Sequence, residues 1–529
     1  TLSPSSAASD VYKRQMKQNG HLYLEQEILV KDALKVLNKE LNLQPVTETE
    51  ILKVLYRLVM QDSIVVEENR VYITQQHQEE EDTASMIARK LHERIPVLTI
   101  EKELEEAQED LNITLSEQQK EAVRMVFANP ISIITGGPGT GKTTVLKIIL
   151  YIYQKKCGNE VKLMAPTGRA ARRMAESTGS GDATTMHMAL GLFGDGDYEA
   201  LIDELSADFI NVDEVSMVDM HLAYEFFYKV KAGARVLLVG DVHQLPSVGA
   251  GDVFRQLILC GKIPVTVLNL VYRQGKDSNI PINAQLINEG KTNLQWGDDF
   301  QMVECSGADA AAQIVKNIYL KEIQMYGMEQ VQILSPYKVR SAAGVLELNR
   351  SLQDEVNPPV SGKRELHLGG EIFREGDRIL QNKNTEFASN GDLGTLVQIA
   401  EDEDNNPLVQ IVFTDGRRVK YEAEQVEMIE HANAITIHKS QGSECQVVII
   451  PWLKAFYPML KRNIFYTGIT RAKQRVYIVG EWKAVCQAIH TDDTGTRKTM
   501  LAVKIQQYCE RYQRQENRRI PATICNRAV

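Results

Sequence analysis

The sequence predicts an α/β chain with two doubly wound parallel-sheet domains, a small β-barrel inserted in the second, and a helical unit ahead of the first. Three observations carry this. Short apolar runs at 131–135, 161–165, 209–213, 235–239 and 265–268 alternate with helix-like segments, as strands buried on both faces of a parallel sheet require. The alternation returns over 276–365 and 431–510, with runs near 331–335, 447–450 and 475–479. Between these halves the character changes: Ile379–Gln381, Gly394–Ile399, Val409–Phe413 and Arg418–Tyr421 read as strands, and Asp415-Gly416 is a hairpin turn. At 529 residues the chain is too long for one core.

The elements follow in order. Ser5–Gln15 reads like an in-frame translation of a sequencing adapter, so residues 1–15 are set aside as an artefact. The expectation that follows is a missing native N-terminus, with Met16 not necessarily a start. Residues 16–95 form a helical unit ending in a hairpin. Thr47 and Glu50 make a capping-box signature ahead of Ile51, Leu52, Leu55, Leu58 and Val59 at helical spacing. Ile64–Val66 and Val71–Ile73 are two short strands. Helices followed by a hairpin suggest a winged helix, and the few basic residues of helix 47–61 make it a scaffold rather than a reader of nucleic acid. The first α/β domain spans 96–275, the second 276–365 and 431–510, the barrel 366–430, and 511–529 is an Arg- and Gln-rich tail.

Hydrophobic content of 43% with 25% charged residues describes a globular protein without a membrane span or signal peptide. Seven scattered cysteines with no C-x-x-C pair exclude a zinc ribbon or disulfide framework and fit a reducing cytoplasm. The net charge of −10 offers no global attraction for nucleic acid, although phosphates respond to a local basic track. The acidic blocks Glu79–Asp82 and Glu401–Asp404 are expected to be solvated loops.

The chemistry starts at Gly136-Gly137-Pro138-Gly139-Thr140-Gly141-Lys142-Thr143, a complete phosphate-binding loop between the apolar run Ile131–Ile134 and the helix-like Thr144–Tyr153. There backbone N–H groups and a helix N-terminus can cradle a triphosphate. Lys142 would meet the β- and γ-phosphates and Thr143 would hold Mg²⁺. Asp213 and Glu214 follow the strand Ile210–Val212; Asp213 suits the Mg²⁺ shell and Glu214 the attacking water. Gln244, after Gly240-Asp241, could sense the γ-phosphate and couple it to the other lobe. Arg273 and Arg471 offer planar, permanently charged donors to the charge that develops during hydrolysis, with Arg471 reaching from the second domain.

With these residues stand Tyr272-Arg273-Gln274, Ala434–Glu444 and Tyr466-Thr467-x-x-Thr470-Arg471-Ala472-Lys473. Together they resemble the ordered motif set of superfamily-1 helicases. Leu163–Ala171, Val212–Asp219, Gln244–Gly249, Leu334–Tyr337 and Asn390–Gly394 narrow the resemblance to RecD-like ATP-dependent DNA helicases, over residues 16 to about 510. The resemblance implies two RecA-like lobes, a pin near 190–208, the inserted barrel, and 5′-to-3′ travel on single-stranded DNA. It further implies adenine reading by Gln119 and an ATP site of Gly137, Pro138, Gly139, Thr140, Gly141, Lys142, Thr143 and Thr144. Thr167, Arg169 and His187 in the first lobe, and Asn390, Thr436, His438, Ser440 and Gln441 in the barrel and second lobe, match DNA-contacting positions. Ser389 stands where an aromatic is common in the family, which removes one stacking contact. The partners expected are single-stranded DNA and single-strand/duplex junctions, with ATP and Mg²⁺ as cofactors and a monomeric state. Two other readings stay open: the helicase module of a conjugative relaxase, and a clamp or regulatory subunit that binds ATP without turnover.

Overall fold

The structure is a computed structural model that describes residues 20–40, 46–158, 160–179, 181–192, 203–269, 278–385, 387–402 and 406–519. In the first lobe six strands lie parallel in the spatial order Ala183–Thr185, Val161–Ala165, Phe209–Val212, Arg235–Gly240, Ile131–Gly136, Val265–Leu268. The strands Ile131–Gly136, Phe209–Val212 and Arg235–Gly240 are buried along their whole length, which only a sheet covered on both faces allows. Their side chains divide between two cores by strand alternation. Ile133, Val236 and Leu238 face one, with the helices Met220–Lys229 and Val253–Leu259. Ile134, Leu237 and Val239 face the other, with Glu117–Ala128, Lys142–Lys156 and Gly168–Thr178.

The second lobe has five parallel strands in the order Phe300–Glu304, Ala472–Gly480, Cys445–Trp452, Val331–Ser335, Ala434–Thr436. The two edge strands, Phe300–Glu304 and Ala434–Thr436, did not register as apolar runs, because edges are short and carry polar positions. The inserted region is a five-stranded antiparallel sheet, ordered Arg418–Tyr421, Pro407–Phe413, Leu393–Glu401, Arg378–Gln381, Ile429–His431, with a bulge between Leu396 and Gln398. Leu396, Ile411, Phe413 and Tyr421 are central to its core. A further hairpin, Glu365–Leu368 with Glu371–Arg374, precedes it.

The N-terminal unit holds helices Gln26–Glu40 and Glu48–Met60 and a three-stranded antiparallel sheet, ordered Tyr23–Glu25, Arg70–Ile73, Ile64–Glu67. The capping box is present: the Glu50 carboxylate accepts from the Thr47 N–H at 2.8 Å. The third strand, only three residues long, was absent from the sequence reading.

Two expectations are overturned at the chain's far ends. Glu79–Asp82 is not a loop but part of the helix Thr74–Leu91, with Glu79 and Glu80 buried. Its partners are remote in sequence. Glu80 accepts from Thr499 Oγ1 at 2.6 Å and Met500 N at 2.8 Å, Glu81 pairs with Lys504 at 2.8 Å, and Glu79 meets His221 at 2.8 Å. The second difference is the helix Leu501–Arg519, which runs through the 510 boundary. Its apolar face, Leu501, Ala502, Ile505 and Cys509, joins the first-lobe core with Ala84 and Ile87. The reach of the clasp explains both misreadings: a charge run looks solvated until the cation that neutralises it is known.

Candidate nucleotide and nucleic-acid site

The phosphate loop leaves the C-terminal end of Ile131–Gly136 and enters the helix Lys142–Lys156. Gly139 (φ 73°) and Gly141 (φ 83°) hold left-handed backbone that turns the chain tightly. A Cβ on Gly141 would come within 2.4 Å of Gln119 Nε2. Lys142 Nζ donates to Gly136 O at 2.6 Å and Gly137 O at 2.9 Å, so the loop encloses its own cation. Gln119, expected to read adenine, is buried and engaged. Its Nε2 donates to Thr140 O at 3.3 Å and its Oε1 accepts from Ser116 N at 3.0 Å in a capping box.

Beside the loop, Glu214 sits in left-handed backbone (φ 52°) just past the strand Phe209–Val212, and its N–H donates to Asp213 Oδ1 at 2.8 Å. Burial, then the charge of Glu214, raise the Asp213 carboxyl above its ordinary value, against the pull of Arg173 and Lys142. Arg173 bridges the lobes, with one nitrogen 3.3 Å from Glu214 Oε1 and another 3.3 Å from Glu444 Oε1. Asp213, which feels the charge of Lys142, and the adjacent Glu214 are donors of the chemistry that suits a divalent cation.

The second lobe closes on this edge through the helix Arg462–Ile469. Tyr466 Oη donates to Asp241 Oδ2 at 2.8 Å, Leu245 N donates to Thr467 Oγ1 at 3.0 Å, and Gln441 Nε2 donates to Leu245 O at 3.0 Å. A Cβ on Gly137 would stand 3.2 Å from Tyr466 Oη, so the tyrosine lies against the phosphate loop itself. Burial and Asp241 push the Tyr466 phenol well above its ordinary pKa. Arg471, 3% exposed, is held within the second lobe by Thr467 O at 3.2 Å, Ser443 O at 3.4 Å and Thr470 Oγ1 at 3.3 Å. Gln244 is buried with its Oε1 unpartnered. Arg273, and residues 193–202 of the expected pin, lie outside the described residues.

The residues matched to DNA-contacting positions divide into groups. Thr167 caps the helix Gly168–Thr178 by accepting from Ala170 N at 3.3 Å, and it faces Gly442 of the second lobe. Arg169 has both Nη atoms buried without a partner, and burial brings its guanidinium down to about 10 despite the nearby Asp392. His187 is exposed in the short helix Met186–Ala189. Asn390 is exposed, and its N–H donates to Asn384 Oδ1 at 2.8 Å. Thr436 Oγ1 accepts from Lys439 N at 3.3 Å. Ser440 is buried in a turn, donating to Ile437 O at 2.7 Å, and Gln441 is committed to Leu245. His438 is exposed and lines a cavity of about 660 Å³ between the lobes, opposite Gln244, Pro246 and Val248. Ser216 Oγ, Gln244 Oε1, Arg255 Nε and Asn463 Oδ1, all lining it, have no hydrogen-bond partner.

Several contributors escaped the sequence reading. Tyr466 and Asp241 lay inside quoted motifs without a role. Arg172 binds Asp392 of the inserted sheet, as Arg417 does at 2.8 Å. Ser389 packs on Gly168 in the same contact. Three arginines within 169–173 were the available signal, since such density on one helix demands anionic partners.

A phosphate loop on one parallel sheet, met across a cleft by the Tyr466–Arg471 edge of another, with an antiparallel β unit inserted in the latter, defines the core architecture of a superfamily-1 helicase. Family models match in the same order: an AAA domain over residues 114–308, the SH3 domain of ATP-dependent RecD-like DNA helicases over 348–413, and a UvrD-like helicase C-terminal domain over 431–479. The chain belongs to the RecD-like superfamily-1 helicases. It is 35% identical over 370 residues to the ATP-dependent RecD2 DNA helicase of Deinococcus radiodurans, covering 70% of this chain and 50% of that protein. It is 27% identical over 463 residues to the RecBCD enzyme subunit RecD of Haemophilus influenzae, with 72% of each covered. The chain thus spans about half the length of the RecD2 relative. A crystal structure of Pif1 helicase from Candida albicans superposes with a TM-score of 0.45 at 18% identity, covering 77% of this chain and 100% of that one.

Proposed function

We propose that this chain is the motor of an ATP-dependent DNA helicase that travels 5′ to 3′ on single-stranded DNA, separates duplex at junctions, and serves DNA repair or recombination in the cytoplasm as a monomer. The observation that carries the reading is the cross-lobe contact at the phosphate loop, where Tyr466 binds Asp241 and stands against Gly137.

In this reading the loop N–H groups from Gly137 to Thr144 take the triphosphate. Lys142 exchanges its carbonyl partners for phosphate oxygens. Gln119 fixes the loop from behind, and its second task is adenine recognition. Thr143 and Asp213 are the groups suited to Mg²⁺, which when bound neutralises charge on the β- and γ-phosphates. Glu214 orients the attacking water, and Arg173 keeps its carboxylate from wandering. Arg273 and Arg471 stabilise the charge spreading over the transferred phosphoryl group. Arg471 is tied only to carbonyl and hydroxyl oxygens of its own lobe, neutral partners that an anionic phosphate outcompetes. Gln244, its Oε1 unpartnered at the lobe boundary, registers whether the phosphate is present.

DNA binding falls to Thr167, Arg169, His187, Asn390, Thr436 and His438, with Ser440 and Gln441 shaping the turn behind His438. The unpartnered Arg169 guanidinium favours a phosphate ligand, because an unpaired buried charge is unfavourable until an anion meets it. Phosphate release measured with and without single-stranded DNA tests the motor, and unwinding of duplexes carrying a 5′ or a 3′ tail tests its direction. Hydrolysis indifferent to DNA would sink the motor; preference for the 3′ tail would reverse the polarity.

A further inference from the structure

The segment after the helix Trp482–His490 does not end in the second lobe. Residues 491–500 cross back to the first lobe before the helix Leu501–Arg519 docks there. The near end of this strap is anchored on the helix that carries Tyr466. Arg462 pairs with Asp492 at 2.7 Å, its N–H donates to Thr491 O at 2.9 Å, and Lys461 pairs with Asp493 at 2.8 Å. At the far end Lys498 pairs with Glu25 and Thr499 and Met500 donate to Glu80, and one further side chain carries four hydrogen bonds. Arg497 Nη1 donates to Ser247 Oγ at 3.1 Å, Gly249 O at 2.9 Å and Gly251 O at 2.7 Å, and Nη2 donates to Ser247 O at 2.7 Å.

These acceptors belong to the loop that follows Gln244. The loop is thus gripped twice by groups whose position depends on the second lobe: directly, where Thr467 and Gln441 hold Leu245, and indirectly through the strap. A third chain segment packs on the grip. Gly251 N donates to Gly20 O at 2.9 Å, and a Cβ on Gly20 would stand 2.6 Å from Arg497 Cζ. Only a residue without a side chain lets the backbone lie flat on the guanidinium.

We propose that Arg497 is a positioning residue: it holds the 247–251 loop so that Gln244 stays at the lobe boundary, and it makes the strap a second mechanical link between nucleotide and cleft movement. The role rests on the motor reading above. A planar fork with several fixed donors spans acceptors on three residues; a single ammonium does not. Lysine therefore fails as a substitute, which separates this role from a simple need for positive charge.

The test uses the full chain with Arg497→Lys, Arg497→Ala and Gly20→Ala, the last displacing the guanidinium from its other side. Amide exchange at residues 247–251 should accelerate about tenfold in all three, as a local opening becomes cheaper. ATP hydrolysed per base pair unwound should rise about three- to tenfold, the range in which changes along such networks shift coupling. Melting temperature, read in the same samples, should stay near that of the parent. Loop exchange unchanged from the parent overturns the proposal. So does faster exchange with an unchanged ATP-per-base-pair ratio, or a loss of activity that tracks melting temperature alone. A parent chain with no DNA-stimulated hydrolysis would instead sink the motor reading, and the exchange measurement would still decide whether Arg497 holds the loop.

Discussion

The two parallel-sheet lobes share an architecture and differ in what their strand ends leave unsatisfied. In the first, Ile131–Gly136 ends in a turn whose left-handed glycines and enclosed Lys142 form a cradle for an anion. In the second, the comparable strand Val331–Ser335 runs into Pro336 and Tyr337. Ser335 Oγ there accepts from Tyr337 N at 3.2 Å and donates to Ala343 O at 3.0 Å, so the turn satisfies itself. The fold is common to both lobes; the phosphate site is not. The cores differ too. The first-lobe core recruits Leu22, Tyr72, Ile87, Leu501 and Ile505 from both ends of the described chain, whereas the second-lobe core, apart from Leu245, comes from residues 280–489. One core is completed by both ends of the described chain, and the other is nearly self-contained.

The largest test of that division is Arg471→Ala, which should lower hydrolysis about 10³-fold, the lower end for an arginine finger reaching a transferred phosphoryl group. ATP affinity by calorimetry should change little, and equal losses in turnover and affinity would remove the second lobe from the chemistry. Lys142→Ala asks the complementary question of the first lobe. Hydrolysis should fall by roughly 10²- to 10³-fold, as for loss of one electrostatic donor at a reacting group, while binding to a single-stranded oligonucleotide persists. Undiminished unwinding would refute the assignment of the loop.

The bracing is tested next. Lys504 is 5% exposed along its side chain and faces Glu80 and Glu81 at 3.4 and 2.8 Å. Lys504→Met should weaken docking of the helix Leu501–Arg519 by about 2 kcal/mol, below the usual cost of breaking a buried pair. The discount reflects Thr499 and Met500, which still donate to Glu80. Faster amide exchange along that helix, with the second lobe unchanged, is the expected result. The same contact predicts a pH dependence. Burial opposes ionisation of Glu81, but hydrogen bonds from Lys504 and Tyr508 outweigh it and hold its carboxyl below 4.5. A depressed folded-state pKa stabilises above the unfolded value and is lost as pH falls through the folded one. Docking should therefore weaken below about pH 4.5, and less so in Lys504→Met. The smallest effect belongs to Arg169→Ala, which should lower the slope of log affinity against log salt by about one. An unchanged slope would place Arg169 away from the phosphates.

Much of this was legible in one dimension. Apart from Val265–Leu268, an edge strand of the first sheet, the apolar runs fell on inner strands, which are buried on both faces, and the phosphate loop is a local motif whose glycines announce their backbone. Asp213, Glu214 and Gln244 were named from their places after strands, and Arg471 from its motif in the second domain. The edge strands Phe300–Glu304 and Ala434–Thr436 were not, since Gln301 and Glu304 interrupt the apolar run of one and the other is three residues long. Glu79–Asp82 misled for a different reason: its compensating groups lie more than 400 residues away at Thr499, Met500 and Lys504. Gln119 and Gln441 were singled out as ligand contacts, yet in the structure their amides hold Thr140 and Leu245, a competition between ligand and protein partners that no spacing reveals.

The sequence by itself determined the layered architecture, the anion-binding turn and the acidic pair beside it, because these follow from periodicity and from residues within a few positions of each other. Only the tertiary structure decided that Tyr466 meets Asp241, that Arg173 spans Glu214 and Glu444, and that Arg497 returns to hold the loop after Gln244. Those contacts join residues up to 271 positions apart in the two lobes and the strap. A side chain's partner at that distance is chosen by how whole domains pack, a property of burial summed over many residues that no local pattern encodes.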